Sequence, residues 1–436
     1  MSTQPGFARE VAGTFITRVL VLILGLVATV VMARALGPDG RGAVTAILLY
    51  PTLLLTFFEG GFRQATIHAL GQRIAEEKDV VGAVLVHFVL AAVLSAAALV
   101  GLLWFGSEQQ WTLWQVAAAA AFVPTGLASA LVRGLLLGRQ EILVANLVLR
   151  RGKYAFTILL LGLWAIGLLD ITTAVVITVL GQLAGVGVGL RKLKAIGLQG
   201  PRWSLVTWWE LAKRGAIYAA ALFAITTNYR VGMIVMERAQ LFGELGEFTV
   251  AAQLAEVLWQ LPTAFGFVLF AHAASAQGEE ARKVEQNVAR STRISIALVS
   301  LGAVALALVA PWIVPLVFGA GFTRTPAMML GLLPGIIAFT TFKVINTYFA
   351  GIGSPRTALL LMTPTLIVNF VLASTFVERL GGIGIAYAAS ISYVLAAFLF
   401  VAAFQRRTGI AWMDVLIPRP KDMKELANGV TKRLRR

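Results

Sequence analysis

Twelve apolar stretches of about twenty residues each, divided by short polar connections, limit what this chain can become more than any motif it carries. They run over 11–33, 43–66, 81–105, 111–136, 142–168 and 171–190, then 214–236, 246–272, 293–318, 326–350, 358–376 and 382–404. A helix rising about 1.5 Å per residue crosses a hydrocarbon core of about 30 Å in about twenty residues. Inside that core the backbone has no water to bond, so such runs must satisfy their own amides as helices. With 58% hydrophobic and 13% charged residues over 436 positions, the chain also has too little polar surface to close a soluble globule of this size. The expected fold class is an all-α integral membrane protein of about twelve transmembrane helices. The first run, Val11 to Met32, precedes Ala33-Arg34-Ala35, an echo of a signal-peptidase site. Its length exceeds the roughly 7–15 residues of a signal-peptide core, so it is read as an uncleaved helix.

A net charge of +16 would point to nucleic acid in a soluble protein, but here the cations gather in alternate connections. One set holds Arg73, Lys78, Arg139, Arg191, Lys192, Lys194, Arg202, Lys213, Arg282, Lys283, Arg290, Arg293 and Arg356; the other holds little beyond Arg34, Arg41, Arg238, Arg324 and Arg379. Short loops rich in Lys and Arg stay on the cytoplasmic side. Both termini are therefore expected to be cytoplasmic, in a multi-pass protein of the inner (cytoplasmic) membrane. The chain then reads as a six-helix bundle over 1–190, a linker over 191–213, a second six-helix bundle over 214–404 and a basic cytoplasmic tail over 405–436. Trp203, Trp208 and Trp209 beside Lys213 in the linker suit a short interfacial helix leading into the seventh span. The other long cytoplasmic connection covers 275–292, and the tail suits an anchor on anionic lipid.

The two halves look related. Gly42 to Thr45 and Gly246 to Thr249 open the second and eighth spans at an offset of 204, and His68 and His272 repeat that offset. Pro124 in the fourth span and Pro334 in the tenth each lead to a glycine-marked turn, Gly138 and Gly351. The pattern predicts two repeated bundles of the same orientation, related by an axis along the membrane normal, around a central cavity.

The chain has no cysteine, and His68, His87 and His272 form no metal-binding pair, which removes disulfide, thiolate and zinc chemistry. His87 reads as an ordinary interfacial residue. No cofactor and no metal are expected; the only energy source the sequence suggests is a proton or sodium gradient. Ionisable groups at bilayer depth are costly and face a protein interior or a watery cavity, so they are the candidates for function. Arg18 lies seven residues into the first span, about 10 Å deep, and Arg230 lies as far from the outer end of the seventh, in Asn228-Tyr229-Arg230. Asn146 and Arg150 share one face of the fifth span, and Lys343 with Asn346 lies in the cytoplasmic half of the tenth. For Lys343, Arg151 and Arg133 the competing reading is a cation that snorkels to the interface. A cavity lined by arginines would suit a phosphate or diphosphate, which guanidinium binds through paired hydrogen bonds.

The acidic candidates are Glu59 and Glu256. Glu59 stands four residues before Arg63, the order that favours a local ion pair. Glu256 has no partner at helical spacing, and a buried carboxylate without one tends to hold a proton. Both are candidates for ion coupling. Gly181, Gly185 and Gly189 repeat every four residues along the sixth span, the spacing of close helix packing.

Several segments together resemble the polysaccharide flippases of the multidrug, oligosaccharidyl-lipid and polysaccharide exporter superfamily. These are Val30 to Gly42, Asn228-Tyr229-Arg230, Gly246 to Pro262, Gly351 to Arg356 and Gly381 to Tyr393, in order over nearly the whole chain. The resemblance implies a transporter rather than an enzyme. Its implied activity is to flip an oligosaccharide linked through diphosphate to a polyprenol from the cytoplasmic to the outer leaflet by alternating access, for polysaccharide biosynthesis. Arg18, Arg63, Asn146, Arg150, Asn228, Arg230 and Lys343 would bind the cargo. Membrane lipids and other polysaccharide-assembly proteins are the implied partners. Related proteins often carry an acidic residue two positions after the Asn-Tyr-Arg arginine, where this chain has Gly232. The rivals are a multidrug exporter of the same superfamily, against which the arginines speak, and a lipid II flippase, which usually carries two more helices than this chain has room for. A membrane enzyme on polyprenyl-linked sugars would want a carboxylate cluster for acid and base work, and the short outer loops carry none.

Overall fold

A computed structural model describes residues 7–105, 111–419 and 422. Among the described residues all regular structure is helical. In chain order the helices are α1 (Phe7–Glu59), α2 (Phe62–Gly71), α3 (Glu77–Phe105), α4 (Leu113–Gly138), α5 (Ile142–Ala165), α6 (Ile171–Ala195), α7 (Leu205–Arg238), α8 (Phe242–Glu256), α9 (Gln260–Ser275), α10 (Glu279–Phe318), α11 (Thr325–Gly351), α12 (Pro355–Thr408) and the short α13 (Trp412–Leu416). Among the described residues eight helical stretches are long and apolar enough to cross a membrane. Two of them, Gly13–Gly71 and Pro355–Thr408, have 59 and 54 residues. At about 1.5 Å per residue each exceeds twice the thickness of a hydrocarbon core. Each is broken at a glycine: Gly37 has φ 66° and Gly381 has φ 57°, left-handed values that a side chain disfavours. The connection expected between the first two spans and the glycine cluster after Leu380 are thus sharp bends inside helical runs.

Other boundaries depart from the sequence reading for local reasons. The eighth span was expected to be continuous over 246–272, but α8 and α9 are separated by a 3-10 turn, Val257–Trp259. Pro262 has no N–H to give and its ring crowds the carbonyl four residues back, so the helix tightens just before it. The interfacial helix expected in the linker is the first part of α7, with Trp203, Leu205, Val206 and Trp209 exposed and Lys213 over the Trp209 ring. Most of the connection 275–292 is helical as well, because α10 begins at Glu279.

Close packing divides the chain into two compact units. The first comprises Met1–Thr226, Glu237–Gly246 and Val317–Gly321; the second comprises Thr227–Met236, Glu247–Leu316 and Phe322–Arg436. In the first, α4 is central, with Leu127, Leu131 and Leu136 in one core with Phe62, Val148 and Leu193. Here the glycine spacing of α6 does what its pattern predicts. A Cβ on Gly181 would stand 3.0 Å from the Gly152 carbonyl of α5, and one on Gly185 would stand 2.8 Å from the Val148 carbonyl. Bare backbone on both helices lets them approach this closely. In the second unit α11 and α12 form the centre. The Ser390 hydroxyl donates to the Gly331 carbonyl and accepts from the Gly335 amide at 3.1 Å, while Phe339, Phe342, Phe400 and Phe404 fill the core beside them.

Candidate functional site: two buried charge clusters

The first unit gathers arginines from four helices. Arg63 on α2 accepts the local pairing its spacing predicts, its Nε donating to Glu59 Oε1 at 2.6 Å. Its stem lies along α4, where a Cβ on Gly134 would stand 3.1 Å from Arg63 Cγ. Arg133, next to that glycine, is close enough to Arg63, Glu59 and Arg18 for their charges to interact. Its Nε is buried without a hydrogen-bond partner among the described residues. Arg133 as a whole is half-buried, with this nitrogen turned away from solvent.

The register of α1 against α5 brings in the remaining predicted pair. Asn146 Nδ2 donates to Thr14 Oγ1 at 2.8 Å, a Cβ on Gly13 would meet Leu143 at 2.6 Å, and further along Ala28 and Val31 share a core with Leu160. Contacts that advance together along both chains mean parallel helices. Arg18 and Arg150 each lie one turn beyond Thr14 and Asn146, so both project at the same level of the same helix pair. Arg18 is exposed and Arg150 is half-buried, with its Nε lacking a hydrogen-bond partner among the described residues. Arg133 interacts in turn with Arg18, Arg63 and Glu59, so the four arginines belong to one unit, with Glu59 as the carboxylate bound to Arg63. Forks of N–H donors in that density match the oxygens of phosphate.

The second unit holds a cluster of different character. Lys343 on α11 does not snorkel. Its Nζ lies 4.5 Å from the Trp259 ring centre and 4.7 Å from that of Tyr229, and it donates to Tyr229 Oη at 2.8 Å. Trp259 is held by its own indole N–H, which donates to the Ile336 carbonyl at 3.0 Å. Glu256, at the end of α8, interacts electrostatically with both Arg230 and Lys343. The carboxylate that has no partner along its own helix is therefore supplied with two by tertiary structure. Asn228 does not join this charge group; its Oδ1 accepts from Asn369 Nδ2 at 3.1 Å and Ser392 Oγ at 3.2 Å, tying α7 to α12. His87 is also engaged rather than interfacial, stacked on Phe62 with ring centres 3.8 Å apart and its Nε2 2.8 Å from the Phe58 carbonyl.

Arg133, Tyr229 and Trp259 were not singled out for the site by sequence. For Arg133 the available signal was its place beside Gly134 in an apolar run, since a neighbouring helix needs such a gap to deliver a long side chain.

Comparison with known proteins fits this arrangement. The family model described as "Polysaccharide biosynthesis protein" matches residues 7–270, more than half of the chain. The model described as "Lipid II flippase MurJ" matches residues 154–417. No curated protein matches the sequence. Among solved structures, the lipid II flippase MurJ in an inward closed conformation is similar with a TM-score of 0.74 at 16% identity, over 89% of this chain and 87% of that one. An inward-facing MATE family multidrug resistance transporter of the MOP superfamily gives 0.73 at 14%, over 89% and 94%. An outward-facing one gives 0.62 at 16%, over 92% and 95%. Two family models that each span more than half of the sequence make this multi-pass membrane chain a member of the polysaccharide biosynthesis family, a transporter and not an enzyme, on a fold shared with MATE and MurJ.

Proposed function

We propose that the chain flips a polyprenyl-diphosphate-linked oligosaccharide from the cytoplasmic to the outer leaflet of the inner membrane, by alternating access, for assembly of a polysaccharide. The carrying observation is the arginine cluster of the first unit, with Arg18, Arg63, Arg133 and Arg150 set against Glu59. A site with that excess of guanidinium attracts the diphosphate, the one part of such a cargo that does not vary with its sugars. In this reading the prenyl chain stays in lipid, twelve spans cross the membrane with both termini cytoplasmic, and a proton or sodium gradient drives the cycle. The match to a lipid II flippase model supports the same class of cargo, a lipid whose headgroup is carried on diphosphate.

The test is flipping of a fluorescent polyprenyl-diphosphate oligosaccharide in proteoliposomes. Arg18→Ala and Arg133→Ala are expected to lower the rate by about 10- to 100-fold, the worth of one hydrogen bond to a charged group, with the purified proteins equally folded. Unchanged transport in both variants overturns the assignment. Flipping of lipid II in preference to the oligosaccharide would move the cargo to that lipid. Efflux of cationic dyes without lipid flipping would make the chain a multidrug exporter.

A further inference from the structure

The second unit carries an apolar groove that none of the chemistry above uses. It has a volume of about 580 Å³ and lies between α10, α11 and α12, its walls formed by residues such as Ile296, Ile337, Val394, Phe398 and Ala402. Trp412 and Leu416 of α13 close one end. Two polar side chains reach it, Gln405 and Thr341. The Thr341 hydroxyl is buried with no hydrogen-bond partner among the described residues, a donor left over in an otherwise apolar wall.

The closed end is basic and built for an interface. Arg406 and Arg407 follow Gln405 and are exposed, as is Arg419 beyond α13. Trp412, Met413 and Ile417 are about half exposed while Val415 is fully buried. A short amphipathic turn with an indole on its outer side and arginines around it is what lies at the headgroup level of a bilayer. Its position is fixed by α10. Arg293, itself buried, donates through Nε to Asp422 Oδ2 at 2.7 Å and through Nη1 to the Asp414 carbonyl. The end of the groove is thus a docked strap whose arginines stand beside the opening.

We propose that this groove is a binding site for one anionic phospholipid, its acyl chain lying along α11 and α12 and its headgroup phosphate held by Arg406 and its basic neighbours at the α13 end. The choice of an anionic lipid rests on charge complementarity. Arg406 is exposed one turn beyond Ala402 of the groove wall, Arg407 faces Tyr348, and the acidic groups Asp414 and Asp422 are already bonded to Arg419 and Arg293. The leftover Thr341 hydroxyl gives the buried end one polar contact to offer. The site is independent of the cargo reading, since it uses none of the residues assigned to the diphosphate.

Native mass spectrometry of the full chain after removal of copurified lipid tests it, with phosphatidylglycerol, phosphatidylcholine and a polyprenyl phosphate as probes. Native protein is expected to retain one phosphatidylglycerol about tenfold more tightly than phosphatidylcholine, the scale set by one or two cations at a membrane surface. Ala402→Trp, which fills the groove, should abolish that single tight site, and Arg406→Glu should bring the two phospholipids to equal affinity. Ala402→Phe serves in its place if the tryptophan variant does not purify as a folded protein. Equal retention of both phospholipids by the native chain overturns the proposal, as does a tight site that survives groove filling. One-for-one displacement of phosphatidylglycerol by polyprenyl phosphate overturns it too, because the groove would then belong to the isoprenoid carrier.

Discussion

The arginine cluster of the first unit and the Lys343 cluster of the second both place cations within apolar helices, yet they solve opposite problems. In the first, Glu59 is bonded to Arg63 and interacts with Arg133, while Arg133 and Arg150 each keep a buried Nε without a hydrogen bond among the described residues. In the second, Lys343 is enclosed by Trp259 and Tyr229, donates to the tyrosine hydroxyl and faces Glu256, which also faces Arg230. Unspent donors mean a site that gains by receiving an anion. A cation with its charge, its hydrogen bond and its ring faces already supplied has little left to offer a ligand. The difference teaches that a cation in an apolar span does not by itself mark a binding residue: the second unit supplies its cation with protein partners, while the first leaves donors over for the cargo proposed above.

The strongest way to break this comparison is to unbalance the second cluster. Glu256→Gln leaves Arg230 and Lys343 without their counter-charge, and breaking a buried ion pair from one side costs about 3–5 kcal/mol. A large fall in the thermal midpoint of the purified protein is expected, with much of it recovered in the double variant Glu256→Gln, Lys343→Met. If Glu256→Gln instead keeps its stability but loses dependence on a proton or sodium gradient, the cluster is a coupling site rather than a structural one, and the contrast between the two units becomes one of ligands.

A second test concerns what the family resemblance expects and this chain lacks. Gly232 stands where related proteins often have a carboxylate, and a Cβ there would overlap Ile385 Cγ2 on α12. The next nearest atoms are those of the Phe248 ring, so a new side chain there meets apolar groups first. Gly232→Asp should therefore destabilise by at least the roughly 1–3 kcal/mol of core overpacking. Adding Ile385→Ala should return the steric part. A stable Gly232→Asp protein would mean that the second unit tolerates another charge and is less self-contained than its geometry indicates.

Which of these features sequence could expose follows from range. The all-helical membrane character was legible because hydropathy is read over twenty consecutive residues, and the Glu59–Arg63 pair and the α6 glycines because partners at i+4 share a face. The break before Pro262 was readable in principle, since proline acts on its own helix, but a smooth hydropathy profile hid it. Glu256, Arg230 and Lys343 meet from α8, α7 and α11, and no spacing along one helix encodes such a meeting. Lys343 was the most misleading, because an aromatic enclosure and a snorkelling stem look alike until Tyr229 and Trp259 are brought beside it. Arg133 was obscured in the same way, its neighbours Arg63 and Arg18 coming from other helices.

The smallest expected effect lies outside both clusters and bounds them. Asp422 is bonded to buried Arg293, with Arg290 at 3.6 Å, and these guanidinium groups hold its carboxyl below the ordinary carboxylate range. A depressed folded-state value adds stability that is present above the unfolded value and lost as pH falls through the folded one. That contribution is on the order of 1 kcal/mol. Asp422→Asn mimics the protonated side chain, and the melting difference between native and variant protein should be constant near neutral pH and close as the pH drops below about 4. A difference that persisted at low pH would assign the docking of the C-terminal strap to α13 and its apolar contacts rather than to charge. Ion pairs at the rim would then hold nothing in place, and the charges that matter to this fold would be confined to the two buried clusters.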